Sequence, residues 1–199
     1  MLHRLAPFLF AFLIALPASG QEKVPDAVIE DFHMELLTVM KAAESLGVKG
    51  RYNYLEPAMS EAFDLPRMIR IATGSYWKRT PPEKQKLLLE AFKRLSVSIY
   101  AVRFDGWSGQ AFQTLGVRPG PRNTKLVETR ILRPGDSPVA ITYVMKESEG
   151  RWRITDVLLD NSISELAVRR SEYRRVLGSH GLDGLIAMLN RKASDLMAK

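Results

Sequence analysis

The 199-residue sequence predicts an α+β fold. Apolar residues recur at three- and four-residue steps up to about residue 104, two-residue alternation takes over between 110 and 160, and helical spacing returns after a capping signal at 162–165. Helices, then strands joined by short turns, then helices describe helices laid against an antiparallel meander.

The first element is an address. Arg4 gives a positive start, 5–16 is a short apolar run broken by Pro7, and Ala18-Ser19-Gly20 supplies small residues for cleavage. A cleaved signal peptide at 1–20 and a single domain at 21–199 are therefore expected, and the apolar run falls below the roughly 20 residues that cross a bilayer. The chain has no cysteine, so a lipid-modified cut site is disfavoured and packing, not disulfides, must stabilise the exported domain. Residues 1–20 take one of the 29 basic residues, Arg4, and none of the 22 acidic ones, so the mature net charge falls from +7 to +6. A basic exported protein suits an anionic membrane surface, where each Lys or Arg contributes roughly 1 kcal/mol. Solubility alone accounts for the charge equally well.

Val28, Phe32, Leu36, Val39 and Ala43 form the stripe of a first helix over 25–46, ended by Gly47. A shorter helix around 54–63 follows, and Asp64 then caps a segment carrying Met68, Ile69 and Ala72, which stops at Gly74. Thr80-Pro81-Pro82-Glu83 reads as a capping box with a permitted early proline, starting a long helix that runs to about residue 104. Its face of Leu88, Phe92, Leu95, Ile99 and Val102 is widened by Leu87, Leu89, Ala91 and Tyr100, as a helix buried on more than one side requires. Three strands follow at 125–132, 139–145 and 151–160, with a weaker fourth at 110–117. Val127, Thr129 and Ile131 share one face, as do Val139, Ile141, Tyr143 and Met145, and Trp152, Ile154 and Leu158. Val144, Val157 and Leu159 fall on the mixed opposite face. Ser162 to Glu165 reads as a second capping box for a helix over 163–177 before Gly178, and a last helix begins near residue 182.

Catalytic chemistry is poorly supplied. The mature chain holds two histidines: His33, beside the first helix's apolar stripe, where a core-edge role is expected, and His180, in a turn where local capping suffices. Neither a metal-ligand spacing nor a phosphate-cradling glycine motif is present, so no catalytic residues, metal site or cofactor are expected. Asp105, Asp156 and Asp160 are the only candidates for an acid-base site; for Asp156 and Asp160, pairing with arginine and helix-start chemistry are the plainer roles. Arg169, Arg170, Arg174 and Arg175 cluster on the penultimate helix as a docking face for a headgroup or acidic partner, or as an ordinary solvated face. Nucleic acid is not an expected partner for an exported chain.

Three stretches, in order, carry a resemblance: Gly74-Ser75-Tyr76-Trp77 leading into Thr80-Pro81-Pro82-Glu83-Lys84-Gln85 and Ala91-Phe92; Tyr100-Ala101-Val102-Arg103-Phe104; and Gly150-Arg151-Trp152-Arg153-Ile154-Thr155-Asp156-Val157 followed by Ile163-Ser164. They resemble the MlaC, or toluene-tolerance, family of periplasmic lipid-binding proteins. Phe104-Asp105-Gly106-Trp107-Ser108-Gly109-Gln110 and the run from Ile163 to Tyr173 look closer to the hopanoid-associated HpnM branch. The resemblance implies helices packed around a curved antiparallel sheet of about four strands, enclosing an apolar cavity for a phospholipid or hopanoid. It also implies a non-enzymatic carrier that meets membranes and an inner-membrane transporter of the ABC or RND type.

Such a shuttle has a physical rationale, since a lipid of about 30 methylenes carried bare through water would forfeit on the order of 24 kcal/mol. The expected lining is Phe92, Leu95, Ile99 and Val102 of the long helix, facing Val127, Ile131, Ile141, Tyr143, Trp152 and Ile154 of the sheet. A one-residue slip in register would substitute Val144, Val157 and Leu159. Two other readings remain open: an adaptor with a filled core that regulates a transporter through its basic helix, and a small-molecule enzyme in a cone-shaped α+β fold.

Overall fold

The computed structural model describes residues 24–198, and the signal peptide expected at 1–20 lies outside the described residues. Helix α1 (Pro25–Lys41) starts with proline in its first turn and buries Ile29, Phe32, His33, Leu36 and Val39 along one stripe. It ends earlier than the spacing predicts, because Ala42 leaves helical geometry at φ −98° and ψ 10°. Gly47 instead kinks the next helix, α2 (Ala43–Ala62), at φ 58° and ψ 178°, a conformation that a side chain would strain. Asp64 caps α3 (Leu65–Thr73) as expected, accepting a hydrogen bond from the Arg67 backbone N–H at 2.9 Å, and Gly74 stops it at φ 59°.

A short helix, α4 (Ser75–Arg79), leads into α5 (Pro82–Arg103). The capping box expected here does not form. Thr80 donates its hydroxyl back to the Tyr76 carbonyl at 2.8 Å, and Gln85 donates its side-chain amide to the Thr80 and Trp77 carbonyls. Because α4 ends where α5 begins, the Thr80 hydroxyl is drawn to the orphan carbonyls behind it.

Strands β1 (Ala111–Gly120), β2 (Thr124–Arg133), β3 (Asp136–Ser148), β4 (Arg151–Leu159) and β5 (Ile163–Ser164) form a curved, unclosed antiparallel sheet in sequential order. The meander is the expected one with a two-residue strand added. That addition moves the start of α6 (Glu165–Met197): Ile163 and Ser164 pair with Leu159 and Leu158, so Ser164 rather than Ser162 caps the helix, accepting from Ala167 N–H at 2.8 Å. Gly178 stays helical, and α6 breaks at Gly181, φ 64° and ψ −166°.

A bulge between Val144 and Met145 in the β3–β4 register changes the parity of β4. Met145 faces Ile154, whereas Tyr143 faces Val157 and Ile141 faces Leu159. Trp152, Ile154, Val157 and Leu159 therefore all join the core side, and Leu158 does not; the two alternative faces read from alternation are merged by one extra residue.

The packing partner of the sheet also differs from expectation. Helix α1 crosses β1, β2 and β4, while α5 is enclosed mainly by α6, α2 and α3. The wide stripe of α5 thus serves several helices, and it reaches the sheet through its C-terminal turn, where Phe104 lies 6.3 Å from Phe112.

Candidate functional site

A cleft of about 1160 Å³ opens between α1, α2 and the first residues of β4. Its position follows from the sheet edge. Strand β5 covers only the far end of β4, and the α2–α3 junction fastens to the middle, with Asp64 donating its backbone N–H to the Ile154 carbonyl at 2.9 Å. Residues Arg151, Trp152 and Arg153 remain along the cleft. Val28, Phe32 and Met34 of α1, Pro57, Ala58 and Ala62 of α2, and Trp152 make its apolar walls. Asp31, Glu35, Asn53, Tyr54, Glu61, Arg151 and Arg153 supply its polar groups. The volume exceeds the roughly 300–1,000 Å³ of pockets for drug-sized ligands.

An aromatic layer lies behind the cleft. Phe32 meets Phe63 edge-on at 5.2 Å and Tyr100 at 5.8 Å, and Phe63 meets Tyr100 at 5.7 Å. Phe63 and Tyr100 in turn wall a small, partly enclosed void of about 30 Å³ beside Met59, Met68 and Val157. Burial pushes the Tyr100 hydroxyl up to about 12. Next to this layer, His33 Nε2 and the Tyr143 hydroxyl share a buried hydrogen bond of 3.0 Å, and the imidazole stacks on Phe112 at 4.2 Å. Burial lowers the His33 pKa to about 4 and raises that of Tyr143, so both are neutral at pH 7.

Of the ten lining residues expected from sequence, Trp152 borders the cleft. Leu95 and Ile99 border a separate groove of about 420 Å³ between α5 and α6. Phe92, Val127, Ile141, Tyr143 and Ile154 are buried in the core, with Val102 and Ile131 half-buried. The cleft walls on α1 and α2 were not singled out as lining. Their signal was present, since Val28, Phe32 and Glu35 fall on one helical face and Tyr54, Pro57, Ala58 and Glu61 on another, but nothing in either stripe says that the two face each other across a gap.

The four arginines of α6 divide. Arg170, Arg174 and Arg175 are exposed, while Arg169 turns inward, its side chain 14% accessible, with its guanidinium 5.5 Å over the Phe92 ring and 4.0 Å from Glu165 Oε2. Asp156 has a structural duty rather than an arginine partner: its carboxylate accepts from the Ser164 hydroxyl at 2.5 Å, the Leu166 N–H at 3.0 Å and the Val157 N–H at 2.8 Å. Asp105 and Asp160 are exposed, Asp160 in a left-handed turn at φ 47°. None of the three carboxylates borders the cleft. Among the described residues, no group of three or more His, Cys, Asp or Glu is placed to hold a metal ion.

The phospholipid-binding protein from Ralstonia solanacearum, solved in complex with a phospholipid, shares this fold with a TM-score of 0.77 at 20% sequence identity, over 88% of this chain and 99% of that one. Residues 30–191 match the sequence profile described as MlaC protein, a span running from α1 through all five strands into the last turns of α6. The chain belongs to the MlaC family.

Proposed function

We propose that this protein is a periplasmic, non-enzymatic lipid carrier, exported by cleavage of residues 1–20 and folded as one domain over 21–199. The observation that carries the reading is the cleft of about 1160 Å³, apolar on its walls and charged in its polar part. Acyl chains laid against Phe32, Ala58 and Trp152 leave water at roughly 0.8 kcal/mol per methylene, while a headgroup stays among the polar side chains. The fold shared with a phospholipid-bound relative supports phospholipid as the cargo. The Phe104-to-Gln110 and Ile163-to-Tyr173 stretches support the HpnM branch and hopanoid as the alternative cargo.

The carrier shuttles its lipid between membrane complexes and meets an inner-membrane transporter, of the ABC type with phospholipid or the RND type with hopanoid. The exposed Arg170, Arg174 and Arg175 form the docking face, which Arg169 supports from within. Trp152 touches lipid directly; Leu95 and Ile99 border a second apolar compartment, and Phe92, Val102, Val127, Ile131, Ile141, Tyr143 and Ile154 form the packed wall behind a bound chain.

Native mass spectrometry of the protein purified from its own periplasm, followed by extraction and identification of the bound lipid, tests the reading. Co-purified phospholipid supports the carrier, and hopanoid selects the narrower branch. A ligand-free mass after incubation with both lipid classes overturns it. Reading the protein as an adaptor would then require that charge reversal at Arg170, Arg174 and Arg175 abolish a transporter complex.

A further inference from the structure

The charges around the cleft are not of one sign. Asp31 and Glu35 lie one turn apart on α1 and Glu61 lies on α2, whereas Arg151 and Arg153 flank Trp152 on β4. Among the described residues, no hydrogen bond or ion pair engages the side chains of Glu61, Arg151 or Arg153. Glu61 on α2 thus faces Arg151 and Arg153 of β4 across one cavity with no ion pair between them. A further acceptor comes from the backbone: Pro57, inside α2, has no N–H to offer the Asn53 carbonyl one turn before it, and both residues border the cleft.

The geometry points to a headgroup site for a zwitterionic phosphodiester lipid, with its phosphate on Arg151 and Arg153 and its ammonium on Glu35 and Glu61. This rests on the carrier reading and goes beyond it by assigning the class of headgroup. Guanidinium forks match phosphate oxygens, and carboxylates match a primary ammonium that donates up to three hydrogen bonds. An anionic headgroup with a neutral polyol in place of the ammonium would set its phosphate on the same arginines but leave the carboxylates without a counter-charge. Glu35 borders the cleft beside Tyr54, whose pKa is raised first by its interaction with that carboxylate. The basic face of α6 is elsewhere and has no part in this discrimination.

The test loads the purified protein from vesicles containing equal amounts of phosphatidylethanolamine and phosphatidylglycerol with matched acyl chains, and reads the bound lipids by native mass spectrometry. The expected result is roughly fivefold enrichment of phosphatidylethanolamine, the size of one partly exposed charge pair. Glu35→Gln combined with Glu61→Gln brings the ratio near one while total loading is kept. Arg151→Gln combined with Arg153→Gln lowers loading of both lipids. Thermal unfolding of each variant confirms that these exposed and half-exposed changes leave the fold intact. Loading of both lipids without enrichment, or enrichment that survives the paired glutamate changes, overturns the headgroup site and leaves the carrier reading standing. Failure to load either lipid overturns both.

Discussion

His33 couples the fold to pH. Its imidazole is buried against Tyr143 and Phe112, and its pKa falls from 6.5 in the unfolded chain to about 4 in the fold. The unfolded state therefore takes up a proton as pH drops through 6.5 while the folded state does not until about 4. Stability from the neutral imidazole is complete above pH 6.5 and is lost on the way to pH 4, by about 3 kcal/mol. Unfolding monitored between pH 7.5 and 4 should show this loss in the native protein and a shallower slope in His33→Gln. At Asp156, two hydrogen bonds, from the Ser164 hydroxyl and the Leu166 N–H, tie β4 to the start of α6, and a third from Val157 N–H is local to the strand. Asp156→Ala should cost about 1–3 kcal/mol in denaturant unfolding, with little change in Asp105→Ala. Sequence places His33 at the edge of the core, whereas it lies within the core, 4% exposed between Tyr143 and Phe112. Sequence does not reveal the Asp156 role, because Ser164 and Leu166 reach that carboxylate only once β5 has folded back on β4.

At the scale of elements, glycines decide where helices bend, and two of them three residues apart should respond oppositely to the same change. Gly181 sits at φ 64° and ψ −166°, a region that side chains avoid, so Gly181→Ala should destabilise by about 1–3 kcal/mol. Gly178 is helical and exposed, with nothing within 4 Å of an added Cβ, so Gly178→Ala should stabilise by about 0.5–1 kcal/mol. Thermal unfolding of the two single variants checks both signs. Helical periodicity places the break at Gly178, three residues early, because the choice of glycine depends on how the second half of α6 docks on α5. The strands were legible almost to their ends because alternation, turn residues and short connections all agree. The face of β4 was not, because the bulge beside Val144 shifts Val157 and Leu159 without any mark in composition.

The location of the cleft is a property of the whole molecule, which is why the apolar stripes do not announce it. A wide apolar stripe on α5 could mean a cavity wall or a helix surrounded by others, and α2, α3 and α6 make it the second. The open space is instead left where β4 lacks a full neighbour and α1 and α2 stand apart. Its depth is set by the Phe32, Phe63 and Tyr100 layer, with the cleft on one side and the small void on the other. Removing part of that layer should join the two spaces and lengthen the room for an acyl chain. Phe63→Leu keeps the site apolar while cutting the ring that separates them. Each methylene newly sheltered is worth roughly 0.8 kcal/mol, about fourfold in binding, so the variant should shift a competition between phospholipids of 16- and 18-carbon chains toward the longer one. Mass spectrometry of the bound pair reads that ratio directly. An unchanged ratio, in a variant that still loads lipid, would mean that the chains end in front of the aromatic layer and that the cleft alone sets cargo length.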